Sequence, residues 1–171
     1  IHLIRELSGE QKFKLIAQIS SIFSTTSSDF PSLNEPGLQV NKINGIFHIT
    51  LDANEIHLTE ISKILQKIEL LYFPGSIASL ELMNLPVEQS DALIIGRIFR
   101  KQSNISKLSL VNCTLNENVE KENFYKSFSF LFLEHLKIKE CSGIEEILTN
   151  IQKSITNLTF NCNEVSFDFL N

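Results

Sequence analysis

Residues 77–87 read IASLELMNLPV and residues 105–115 read ISKLSLVNCTL. Laid over each other at a displacement of 28 positions, they carry apolar residues at the same places: Ile77 with Ile105, Leu80 with Leu108, Leu82 with Leu110, and Val87 with Leu115. Three further stretches keep the same opening spacing: IFHITL from Ile46, LEHLKI from Leu133 and ITNLTF from Ile155. The five starts lie 31, 28, 28 and 22 residues apart. Apolar and polar residues alternate through the second half of each stretch, which is the period of a half-buried strand. A strand that recurs at a near-constant interval predicts a stack of similar units, each covering its neighbour's apolar face.

The residues that follow each strand extend the pattern. Eight positions after the starts stand Asn54, Leu85, Cys113, Cys141 and Asn163. A small polar or thiol side chain turned inward there can satisfy backbone groups where the strand bends into a loop; Leu85 departs from the pattern. Two positions further on, Ile56, Val87, Leu115 and Val165 restore an apolar residue, while Gly143 fails and Ile144 stands in beside it. Between strands the apolar period lengthens to that of a helix. Leu58, Ile61, Leu65, Ile68 and Leu71 mark one face, and Ala92, Ile95, Ile98 and Phe99 a second. Phe124, Phe128 and Leu131 mark a third, and Ile144, Ile147, Leu148 and Ile151 a fourth. Ser142 and Glu145 have capping-box spacing.

The stretches LELMNLPV, LSLVNCTL and LKIKEC resemble the leucine-rich-repeat family, specifically its ribonuclease-inhibitor-like class. The resemblance implies an α/β solenoid, with parallel strands on its concave side, helices on its convex side and a helical and hairpin cap at the N-terminus. Residues 46–171 would hold about five repeats, and residues 1–45 the cap or a truncated repeat. The degenerate, Phe- and Ile-rich copies look most like repeats of NLR-type innate immune sensors or of microbial effectors. The first implies a protein-interaction or ligand-sensing domain of a larger cytoplasmic receptor. The second implies an adaptor that recruits a host protein.

Residues 1–24 read as helix, with Ser8 and Gln11 at capping-box spacing, and residues 24–37 as loop. Asn44-Gly45 lies between LQV at 38–40 and IFHITL, a strong hairpin signal that predicts an antiparallel strand over the first sheet edge. The chain opens on Ile1 and is expected to be cut from a longer one; it closes on the strand-like SFDFLN, so the chain is expected to continue there or this edge to be covered by something else. A net charge of −5 argues against a general nucleic-acid or anionic-membrane binder, and no apolar run is long enough to span a bilayer. The cysteines Cys113, Cys141 and Cys162 have neither zinc-ligand spacing nor an even count, so they are expected as reduced, buried thiols. No cofactor is implied.

Strand positions that alternate with the core positions define the candidate partner-binding face. They are His48, Thr50 and Asp52, then Ser79, Glu81 and Met83, then Lys107, Ser109 and Val111. His135, Lys137 and Lys139 follow, and Asn157, Thr159 and Asn161 complete the set. Acids fall on the early strands and bases on the later ones, an arrangement that would orient a protein partner electrostatically. Each of these residues also fits a plain solvated strand position. As an enzyme, the chain would have to use His48 with Asp52. Residues four apart on a strand sit about 13 Å apart, beyond direct hydrogen bonding, and no phosphate loop or activated nucleophile accompanies them.

Overall fold

A computed structural model describes residues 35–144, 147–151 and 155–161 of the chain. Two compact units divide it, Ile1–Leu33 and Asn34–Asn171. The helix expected over residues 1–24 lies outside the described residues, as do Glu145, Cys162, Asn163 and Val165.

The second unit opens with β1 (Leu38–Ile43) and β2 (Ile46–Asp52), an antiparallel pair with Leu38 opposite Leu51 and Ile43 opposite Ile46. Asn44 and Gly45 turn the chain with φ of 51° and 81°. A two-residue turn with both central φ positive matches the twist of the strands it joins. After β2 come α1 (Leu58–Leu71), β3 (Ile77–Met83), the short β4 (Pro86–Val87) and α2 (Gln89–Lys101). Then follow β5 (Lys107–Val111), the short β6 (Thr114–Leu115) and α3 (Lys121–Ser127). The series ends with β7 (His135–Lys139), the single turn α4 (Ile147–Asn150) and β8 (Asn157–Asn161).

Six strands form one sheet in the order β1-β2-β3-β5-β7-β8, and all pairs after the first are parallel. Leu80, Leu108, Leu136 and Leu158 stand in one register line, and Leu82, Leu110, Ile138 and Phe160 in the next. Except on β8, these side chains are buried. The helices supply the opposing apolar stripe: Ile61, Ile64, Leu65 and Ile68 from α1, and Ala92, Ile95, Ile98 and Phe99 from α2. Burying each large aliphatic or aromatic side chain contributes about 1.5–3 kcal/mol. Phe99, Phe128 and Phe124 continue this core in edge-to-face contact, at centroid separations of 5.0 and 5.3 Å. The start of α2 is fixed by a reciprocal capping box between Glu88 and Asp91, and Arg100 and Lys101 occupy its last turn, where cations favour the helix dipole.

The expected leucine-rich-repeat solenoid is corrected by this architecture, which among the described residues is a mixed α/β unit: one mostly parallel six-stranded sheet with an antiparallel first strand, three helices of 14, 13 and 7 residues, and a single helical turn. A solenoid stacks equivalent units, and the crossovers here are not equivalent. The first passes through a 3-10 turn (Ala53–Glu55) into a 14-residue helix. The second uses a two-residue strand and a 13-residue helix. The third has a helix of 7 residues followed by a 3-10 turn, and the last a helix of 4. Among the described residues β4 and β6 pair into a second, two-stranded sheet, and beyond it Thr114 makes a single parallel bridge with Ser142. The strand ends differ as well. Pairing of β2 with β3 shifts by one residue after Phe47, so Phe47, not Ile46, points into the core. On β8, Leu158 is 48% exposed where β3, β5 and β7 bury a leucine.

Candidate functional site

Alternation along each strand leaves one face of the sheet buried under the helices and the other facing solvent, and parallel pairing brings the solvent-facing residues into rows. His48, Ser79, Lys107, His135 and Asn157 are register partners from β2 to β8. Thr50, Glu81, Ser109, Lys137 and Thr159 make the middle row, and Asp52, Met83, Val111, Lys139 and Asn161 the third. The structure therefore brings all of the sequence-expected face residues together. Strand β1 adds two that the sequence reading did not include: Asn41 opposite His48, and Gln39 opposite Thr50. Their signal would have been the same alternation, continued backwards through the Asn44-Gly45 turn.

The rows are tied by side-chain bonds across strands. His48 Nδ1 and Ser79 Oγ are hydrogen-bonded at 2.9 Å. Ser109 Oγ donates to Glu81 Oε1 at 2.8 Å, and Lys137 Nζ reaches over β5 to 3.7 Å from the same oxygen. Asp52 Oδ1 accepts from Asn84 Nδ2 at 2.8 Å, and Asn84 Oδ1 accepts from Asn112 Nδ2 at 2.7 Å. This amide ladder was missed from the sequence. Asn84, Asn112 and Glu140 leave β3, β5 and β7 with φ of 56°, 52° and 55°, a left-handed conformation that asparagine tolerates better than most residues. Their common spacing of 28 was the available signal.

The charge gradient expected along the face is present in space. Carboxylates Asp52 and Glu81 lie on β2 and β3, and ammonium groups Lys107, Lys137 and Lys139 on β5 and β7. Lys139 also meets Glu140 at 3.1 Å. Lys107 and His135 make no side-chain hydrogen bond or ion pair among the described residues. His48 and Asp52 are bonded separately, the one to Ser79 and the other to Asn84 and the Asn54 N–H. Neither therefore holds the other in a catalytic orientation.

Cys113 and Cys141 are buried. Cys113 Sγ donates to the Leu82 carbonyl at 3.3 Å, and its N–H donates to Cys141 Sγ at 3.4 Å. Cys141 Sγ donates in turn to the Lys139 carbonyl at 3.3 Å. The hydrogen bond with Cys141, followed by burial, pushes the Cys113 thiol above the ordinary range, and the same hydrogen bond draws the Cys141 thiol down to about 7. These thiols satisfy backbone groups at the strand exits, as their position after the strand suggested. Asn54 does not share that role: it is exposed, and Ala53 fills the inward place.

Among the described residues, no three His, Cys, Asp or Glu side chains converge to hold a metal ion, and no helix is long and apolar enough to cross a membrane. Comparison of the chain with protein-family models, with curated proteins and with solved structures finds no match.

Proposed function

We propose that the chain is a binding module whose solvent-facing sheet surface docks a protein partner. The observation that carries this reading is the three-row array of polar and charged side chains, contributed in register by five strands and braced by cross-strand bonds. Such bracing lowers the entropy lost when side chains are ordered at an interface. A face with acids at one side and bases at the other favours one orientation of a complementary partner. The narrower expectations of an NLR-type receptor or a microbial effector rested on the repeat resemblance. The fold does not carry that resemblance forward, so the proposal stops at protein binding.

Two paired variants of the full chain test it. Thr50→Arg with Thr159→Arg adds bulk at opposite ends of the middle row, whereas Glu60→Lys with Lys121→Glu alters exposed positions on α1 and α3. A partner recovered by cross-linking to the parent chain is expected to be lost with the first pair and kept with the second. The reverse outcome would transfer the binding site to the helices.

A further inference from the structure

We propose that the β5–β8 half of this face accepts an extended acidic peptide segment; the idea rests on the face being a binding surface. Charge comes first. The outward positions of β5, β7 and β8 include three lysines, Lys107, Lys137 and Lys139, and no carboxylate, in a chain whose net charge is −5. The positive groups are therefore concentrated against the trend of the whole sequence.

Spacing narrows the class of ligand. His135, Lys137 and Lys139 project from alternate positions of β7, so they repeat about every 6.7 Å. An extended peptide repeats its own same-side residues at the same interval. A segment laid along β7 with Glu or Asp at alternate positions would meet these groups in register. A helix, rising about 1.5 Å per residue, would not keep step with them.

These side chains are also available. Lys107 and His135 are unpartnered among the described residues. Lys137 keeps only a long 3.7 Å approach to Glu81, and the Lys139–Glu140 pair is about half exposed on both sides. Exposed pairs of this kind exchange readily for an incoming carboxylate. On β8, Asn157 and Asn161 place exposed amides beside the lysine column, where they can hydrogen-bond a peptide backbone.

Size favours a peptide over a second folded copy. Three strands span about 14 Å and three rows about 13 Å, an area of about 180 Å² in projection, far less than the roughly 800 Å² per partner of a stable protein pair. That length suits about five extended residues.

Fluorescence anisotropy on the full chain tests the proposal, using a labelled peptide with Glu at alternate positions, its Gln counterpart and a single-stranded oligonucleotide. The Glu peptide is expected to bind at least about tenfold more tightly than the Gln peptide, and to weaken as salt rises. Lys137→Gln with Lys139→Gln should lower affinity by about tenfold, and the helix-side Lys63→Gln with Lys126→Gln by less than about twofold. Thermal melts by circular dichroism check that both variants fold. No binding of the Glu peptide, equal binding of the Gln peptide, equal loss in both variants, or tighter binding of the oligonucleotide would overturn the proposal. A partner that is lost with Thr50→Arg and Thr159→Arg while acidic peptides fail to bind would leave the docking face standing and remove only its acidic occupant.

Discussion

At Gln102 a single carboxamide, 1% exposed, serves three backbone groups. Its Oε1 accepts from the Ile77 N–H at 3.2 Å, and its Nε2 donates to the Tyr72 and Phe73 carbonyls at 3.3 and 2.7 Å. The end of α2 thereby clamps the chain as it leaves α1 and enters β3. Nothing in the local sequence marks this residue, because its role depends on two segments about 25–30 positions earlier being folded beside it. Gln102→Leu would keep the volume but leave the Ile77 N–H without its partner. A loss of about 2–3 kcal/mol is expected in urea unfolding, with an unchanged dependence on denaturant. A loss under about 0.5 kcal/mol would mean that the clamp carries little weight. The thiols make a contrasting case. Cys113 and Cys141 were legible as inward-facing residues from their position after the strand, since one side chain at one place in a recurring pattern decided the matter.

Elements were legible wherever a local period fixed them. The strands, α1 and α2 follow from alternation and from helical spacing, and the β1–β2 hairpin follows from Asn44-Gly45. Gly45 adopts a φ of 81°, and a Cβ added there meets nothing within 4 Å. Substitution by valine is therefore a test of backbone strain alone. Gly45→Val is expected to cost about 1–2 kcal/mol in chemical unfolding and Gly45→Asn clearly less; equal effects would exclude a left-handed requirement at the turn. The boundaries were less legible. Helical spacing puts Leu58 on the buried face of α1, yet it is 66% exposed, because the burial begins only at Ile61. Ile46 was read as the first rung of β2, but the register shift against β3 hands that place to Phe47. The inequivalence of the crossovers was not legible at all. A strand period constrains what lies under the sheet, and it leaves the length and form of each connection free. Helices of 14, 13, 7 and 4 residues fill the same layer.

For the whole molecule, the decisive property is that five parallel strands keep a common register. One-residue slippage would turn every side chain of a strand to the opposite face. The outward row Thr50, Glu81, Ser109, Lys137 and Thr159 exists only because the inward rows are aligned with it. Strand alternation made these face residues legible in the sequence. Their bonding was not, since the Asp52–Asn84–Asn112 ladder depends on left-handed exits from separate strands. Both the proposed docking surface and the acidic segment proposed for it depend on this alignment. Backbone nuclear Overhauser effects across β3, β5 and β7 of the full chain test it most directly. Contacts of parallel type linking Leu82 with Leu110, and Leu110 with Ile138, are the expected result. An antiparallel pattern, or a register displaced by one residue between any two of these strands, would contradict it.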